Sequence, residues 1–168
     1  MAVVVRDLPE GKLDDHPCFS RFEVTERTVS ITKRWLRSVY SKFGPCVKVA
    51  YIDGKSVGMV QYAPMDIFPH VKRHDAHRTI LIHCIYVSEE YRGRGIGRKL
   101  MEALINDLSK PHPYLNGGVF QGIEALAGRS RPGPAGPLEF FTKMGFQVIK
   151  QLSSSDFLVR LNLPVSNL

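Results

Sequence analysis

The stretch that most restricts how this chain can fold is "TILIHCIYVSEEYRGRGIGRKLMEAL", residues 79–104. Thr79 to Val87 is the most apolar run in the sequence and is rich in β-branched residues. It predicts a central strand covered on both faces. Tyr91 to Arg98 then packs three glycines and three arginines into eight positions. Beyond them Ile96, Leu100, Leu104 and Leu108 share one stripe, with Arg98, Lys99, Glu102 and Asp107 mostly off it. That pattern predicts an amphipathic helix over Ile96–Leu108. A strand, a glycine loop and a helix in this order offer unpaired N–H donors and the positive end of a helix dipole. Glycines let an anion approach the backbone, because no Cβ intervenes. Gly93, Gly95 and Gly97 supply that approach, and Arg92, Arg94, Arg98 and Lys99 supply charge. The expected ligand is a phosphate or pyrophosphate, with a solvated glycine turn as the bland alternative. Neither the Walker string nor the dinucleotide fingerprint is present: the spacing here is G-x-G-x-G, in mid-chain.

The rest of the chain reads as α/β. Val3 to Val5 suggests a short edge strand, and Pro9 to Phe22 a loop. "TVSITKRWLRSVYSKFG" predicts a helix capped by Thr28 or Ser30, with Ile31, Trp35, Val39 and Phe43 on its inner face and Gly44-Pro45 as its stop. Val47–Ile52 and Ser56–Tyr62 predict a hairpin turning at Asp53-Gly54. Pro64 to Arg78 is a loop holding His70, His74 and His77. "VFQGIEALA" predicts a strand and "GRSRPGPAGP" a loop. A short helix follows over Pro137–Met144, and the two strands "FQVIKQ" and "DFLVRLNL" close the chain. The order β-α-β-β-β-α-β-α-β-β implies one mixed sheet.

At 168 residues the chain is one domain's worth. Its net charge of +7 points to an anionic partner. Three cysteines, Cys18, Cys46 and Cys84, match no zinc spacing, and their odd number fits a reducing compartment. The apolar run at the N-terminus is too short for a signal peptide or a span. The expectation is a cytoplasmic protein with no membrane segment and no metal. The histidine loop resembles metal ligands in composition only.

The motifs resemble a known family. Arg92-x-x-Gly95-x-Gly97 matches the R/Q-x-x-G-x-G/A signature of the GNAT superfamily of acyl-CoA-dependent N-acetyltransferases. "EFFTKMGFQVI", residues 139–149, is similar to that family's "FYEKLGF" segment, and "VAYIDGKSVGMVQY" to its second and third strands. The resemblance spans residues 47–162 of a single 1–168 domain. It implies a GNAT-like mixed sheet of about six or seven strands, splayed between the fourth and fifth, with about three or four flanking helices. It also implies acetyl-CoA as co-substrate. The pyrophosphate would rest on the amides from Arg92 through Gly93, Arg94, Gly95, Ile96 and Gly97 to Arg98. The pantetheine arm would pair with Ile85 and Val87 like an added strand. The acceptor would be a primary amine of a small molecule or peptide that attacks the thioester directly. A homodimer is compatible with such a fold.

The family's usual acidic tyrosine would fall at Phe141, beside the cofactor but without a hydroxyl, and its frequent asparagine near Pro134. For the general base the candidates are His83 and Glu124, polar residues in apolar strands. Strict alternation turns His83 away from both Cys84 and Tyr86, which argues against a Cys84–His83 pair. The competing functions are a catalytically weak acetyl-CoA-binding or sensor module and a nucleic-acid-binding domain. The arginines gather at one loop with no stacking aromatics, which disfavours nucleic acid.

Overall fold

In the computed structural model, which describes residues 2–21, 23–130 and 133–165, one eight-stranded sheet runs through the molecule. Its strands are β1 (Val3–Asp7), β2 (Val47–Ile52), β3 (Lys55–Pro64), β4 (Thr79–Val87), β5 (Gly122–Gly128), β6 (Gly136–Pro137), β7 (Gln147–Gln151) and β8 (Asp156–Asn162). The spatial order is β1-β2-β3-β4-β5-β8-β7, and the two-residue β6 pairs β5 off that path. The only parallel pairing along the main path joins β4 to β5, and the rest is antiparallel. The helices are α1 (Glu26–Lys42), α2 (Ile96–Leu108) and α3 (Leu138–Lys143). The fold is therefore the mixed α/β domain that the sequence predicts, with one very short strand more. Among the described residues no helix is long and apolar enough to cross a membrane.

The local signals act as expected where they are backbone signals. Asp53 and Gly54 both take positive φ, 50° and 78°, as a two-residue hairpin turn with the twist of its strands requires. α2 occupies Ile96–Leu108 and buries Ile96, Leu100, Met101, Leu104 and Leu108. α1 starts earlier than expected. Thr25 is its cap, accepting from the Thr28 N–H at 3.2 Å. Leu36 and Val39 are its buried residues, while Ile31 stays exposed. The segment expected as a plain loop, residues 9–22, holds two 3-10 turns, Glu10–Asp15 and Pro17–Ser20.

Two irregularities in β4 position the site. β3 pairs Gln61 with Cys84 and then Tyr62 with Ile82, which leaves His83 as an extra residue, a β-bulge. β4 and β5 pair only from Thr79–Ile82 against Gly122–Ala125 and then part. The bulge also resets which face each side chain meets. Lys48 reaches Asp7 at 2.7 Å and Asp107 of α2, so it lies on the α2 face. Its neighbour Val47 pairs with Gln61, so Gln61 lies on the opposite face. There Gln61 meets His83, and His83 meets Trp35 of α1.

Candidate functional site

Where β4 and β5 separate, a cleft of about 660 Å³ opens onto the start of α2. Its walls are the last residues of β4 on one side and Gly133–Pro137 on the other. The glycine loop closes one end, and Phe140, Lys143 and Met144 lie across it. Gly93 and Gly95 have φ of +77° and +78°, and a Cβ placed on either meets no atom within 4 Å. The loop therefore presents bare backbone to open space. Gly97 differs: a Cβ there would come 3.1 Å from the Phe140 ring. Gly95 caps α2 without a side-chain bond, so the first-turn amides of the helix have no acceptor within it.

The arginines are held by their neighbours. Arg92 Nε donates to the Val87 carbonyl at 2.8 Å, and its guanidinium lies 5.8 Å from the Tyr86 ring centre. Arg94 donates to the Glu90 carbonyl at 3.3 Å and sits over Tyr91. Arg98 pairs with Glu102 one turn along the helix. Arg21, from the turn after Pro17–Ser20, lies over the other residue of this set, Tyr86, at 5.0 Å. Such stacking fixes the cations while leaving the donors they do not use free to face an anion. Cations, bare amides and open space suit a diphosphate, so the residues present fit the pyrophosphate of an acyl-CoA.

The split is partly bridged. The Ile85 N–H donates to the Ala135 carbonyl at 2.9 Å, and the Ala135 N–H to the Leu126 carbonyl at 2.9 Å. A Cβ at Gly133 would run into the backbone of Ala127 and Gly128, so this segment is packed closely against β5. The Ile85 donor expected to meet the pantetheine arm is thus engaged within the chain, and the Val87 carbonyl already serves Arg92.

The two base candidates sit away from the open cleft. His83 is packed edge-on against Trp35 and Phe68, both with centroids 4.7 Å away. Gln61 Nε2 donates to its Nδ1 at 3.4 Å, and its Nε2 has no partner among the described residues. Burial holds this imidazole down at a pKa of about 4, so it is neutral. Glu124 is fully buried and accepts from Arg73 twice, each at 2.7 Å, and from Arg160 at 2.6 Å. Asp75 binds the same two arginines and is held below the ordinary carboxylate range, chiefly by its hydrogen bonds from Arg73. Two acids and two bases thus tie the 64–78 loop to β5 and β8. His77 pairs with Asp66, which also accepts from Tyr114 Oη. Among the described residues no three His, Cys, Asp or Glu side chains converge on a metal position.

Phe141 points into the core, fully buried against Phe140 and Phe146, and Phe140 faces the cleft in its place. The pattern of the motif matched; the rotation of a two-turn helix decided which aromatic turned outward. The expected opposition of His83 to Cys84 and Tyr86 also fails, because the bulge breaks the alternation. Gln61 now joins His83 to His16, whose Nε2–H donates to Gln61 Oε1 at 2.9 Å. His16 Nδ1 in turn accepts from the Cys18 N–H at 3.2 Å. The turn that carries Cys18 thus meets the sheet beside Cys84, the β4 partner of Gln61. Beside Cys84, His16 and Arg21, the Cys18 thiol is held below its ordinary value despite its burial, and the Cys84 thiol is pushed up. Nothing in the sequence pairs Cys18 with Cys84, since only the folded sheet brings the N-terminal turn to β4.

A family model, the acetyltransferase (GNAT) family, matches residues 12–115. Among solved structures the chain is similar to an N-acetyltransferase of Staphylococcus aureus Mu50, with a TM-score of 0.63, 15% identity and coverage of 97% of this chain and 99% of that one. It is similar to the PaiA N-acetyltransferase of Thermoplasma acidophilum in complex with coenzyme A, with a TM-score of 0.59, 15% identity and coverage of 96% and 99%. Ard1 of Thermoplasma volcanium has a TM-score of 0.61, 14% identity and coverage of 99% and 100%. At these identities the likeness is one of fold. Comparison with curated proteins found no match.

Proposed function

Because the chain belongs to the GNAT family of acetyltransferases, we propose that it transfers an acetyl group from acetyl-CoA to a primary amine of a small molecule or a peptide. One observation carries the reading: the cleft beside the end of β4 opens onto the bare amides at Gly93 and Gly95. In this reading the amides after Gly93 and the unspent donors of Arg92, Arg94 and Arg98 receive the diphosphate. The arm follows the lip between Tyr86 and Pro134 instead of adding to β4 as a strand, because Ala135 holds the Ile85 N–H. That N–H polarises the thioester carbonyl once the Ala135 carbonyl yields it. The amine attacks from the α1 face, where Gln61, His83 and Cys84 lie. In this reading neither His83 nor Glu124 acts as the base, and the amine sheds its proton through water at the mouth of the cleft. The protic side chains that line the cleft beside β4 are Tyr86 and Cys84.

A second reading, an acetyl-CoA-binding module with little turnover, is favoured by the engaged Ile85 N–H and the buried Phe141. Free-thiol release from acetyl-CoA across a panel of primary amines separates the two. Release that depends on an amine supports the transferase. Tight binding without release supports the module, and absence of binding overturns both.

A further inference from the structure

The proposed transfer makes no use of Cys18, which stands beside Cys84 of the cleft wall. Cys18 stands on the 3-10 turn Pro17–Ser20, whose geometry is set by Pro17 and by the His16 ring accepting the Cys18 N–H. Cys84 stands on β4 beside the bulge, directly opposite Gln61, and lines the cleft. Gln61 Oε1 fixes His16 from the other side, so one glutamine registers the turn against the strand. Both cysteines are half-buried, whereas Cys46 is fully buried in the core with its thiol pushed up to about 12.

We propose that Cys18 and Cys84 form an oxidation site at which a hydroperoxide converts the two thiols to one intramolecular disulfide. The balance is complete with that oxidant. The Cys18 sulfur attacks the terminal peroxide oxygen, the O–O bond breaks, and Cys18 becomes a sulfenic acid while the peroxide leaves as alcohol or water. The Cys84 sulfur then attacks the sulfenic sulfur, the S–S bond forms, and the hydroxyl leaves as water with the Cys84 proton. Two thiols lose two electrons and the peroxide gains them. Three features place the first step at Cys18. Arg21 stands beside it, it is partly accessible, and a neighbouring guanidinium favours the thiolate, which is the reactive form. Gln61 registers the Cys18 turn against β4 at Cys84, which makes Cys84 the resolving thiol. The disulfide would fasten the turn that carries Arg21 to the wall of the cleft, beside Tyr86.

The test uses the full chain, reduced and then freed of reductant. It is treated with stoichiometric hydrogen peroxide, quenched in acid and digested without reduction for peptide mass mapping. The expected product is a Cys18–Cys84 linked peptide that dithiothreitol reverses, with Cys46 unmodified. In Cys84→Ser, dimedone traps a sulfenic acid on Cys18. Disulfides between chains, linkage through Cys46, or Cys18 and Cys84 oxidised separately in the native protein would each overturn the proposal. The wild-type map decides even if Cys84→Ser fails to fold. None of these readouts depends on acetyl-CoA, so the proposal stands or falls apart from the transferase reading.

Discussion

Gly95 allows backbone strain and ligand charge to be separated. At φ +78° any L-residue is strained, and the left-handed region costs about 1–2 kcal/mol. A Cβ at that position meets nothing within 4 Å, so no steric term is added. Gly95→Ala and Gly95→Glu should therefore lose similar stability, about 2–4 °C in melting temperature per kcal/mol for a chain of this size. Their affinities for acetyl-CoA should diverge. A carboxylate about 5 Å from one phosphate charge, at an effective dielectric of about 20, opposes binding by roughly 3 kcal/mol. That is on the order of a hundredfold in Kd, since each 1.4 kcal/mol is about tenfold. Gly95→Ala keeps the amides and adds no charge, so it should stay within a few-fold of wild type.

The assay is titration calorimetry with acetyl-CoA at low salt, alongside scanning calorimetry of each variant. Added salt should narrow the gap between the two variants, because the loop is open and its charges are screened. If Gly95→Glu binds as well as Gly95→Ala, the diphosphate does not lie on this loop. If both lose affinity equally, backbone distortion and not charge governs the site, and the electrostatic argument fails. Gly97→Ala is the internal contrast. It takes an ordinary φ but presses on Phe140, so its effect should come through the ring at the cleft.

Glu124→Gln should leave Arg73 and Arg160 facing a neutral amide, at a cost of about 2–3 kcal/mol, reduced because Arg73 is about one-third exposed. Scanning calorimetry should show a melting temperature lower by roughly 5–10 °C, and an unchanged value would refute the structural role of the cluster. The depressed imidazole of His83 fixes a sign for pH. Above 6.5 both the folded and unfolded states hold it neutral, and its contribution is intact. As pH falls towards about 4 the unfolded state is protonated first, so stability is lost, about 2 kcal/mol by pH 5. His112, also lowered by burial, acts in the same direction. His83→Leu should remove the larger part of the difference between urea melts at pH 5 and pH 7.5, and an undiminished difference would place the titration elsewhere. The Ile85 amide, bonded to Ala135 without ligand, should change its hydrogen-exchange rate when acetyl-CoA binds, measured by amide exchange with residue resolution. No change at Ile85, with binding confirmed, would mean that the thioester does not use this donor.

What could be read in the sequence was written in the backbone or in one local period. The positive φ at Asp53-Gly54, the glycines before α2 and the stripe of α2 each depend on neighbours within a few residues. The site residues that could not be read depend on contacts across the sheet. His83 reads as a polar residue on an apolar strand, and alternation then assigns it a face. The bulge is a property of pairing with β3, invisible along β4 alone, and it cancels that assignment. Glu124 reads as a free carboxylate because Arg73 and Arg160 come to it from a loop and from β8. Phe140 and Phe141 are adjacent and alike, and only the docking of a six-residue helix separates them. The histidine loop reads as a plain loop whose composition alone resembles metal ligands. In the fold Arg73 is turned inward to neutralise Glu124, so part of its charge is spent on structure.

The bulge at His83 also links the site's two unexpected features. One extra residue bends β4 away from β5 just beyond the last shared pairs, Leu81 with Glu124 and Ile82 with Ala125. Bending exposes the Ile85 N–H along the split, and a buried donor left without a partner costs about 1–3 kcal/mol. Ala135 meets that need in the chain itself, and its own N–H is met by Leu126. A thioester carbonyl offers the same chemistry as the Ala135 carbonyl, so exchanging one for the other leaves the hydrogen-bond count unchanged. The segment Gly133–Pro137 thus competes with the ligand at the same donor. Replacing the Ala135–Gly136 pair by a sequence that holds the carbonyl more firmly should weaken thioester binding while leaving binding of free coenzyme A, which lacks the thioester carbonyl, unaffected. Equal losses for acetyl-CoA and coenzyme A would show that the segment obstructs the arm instead.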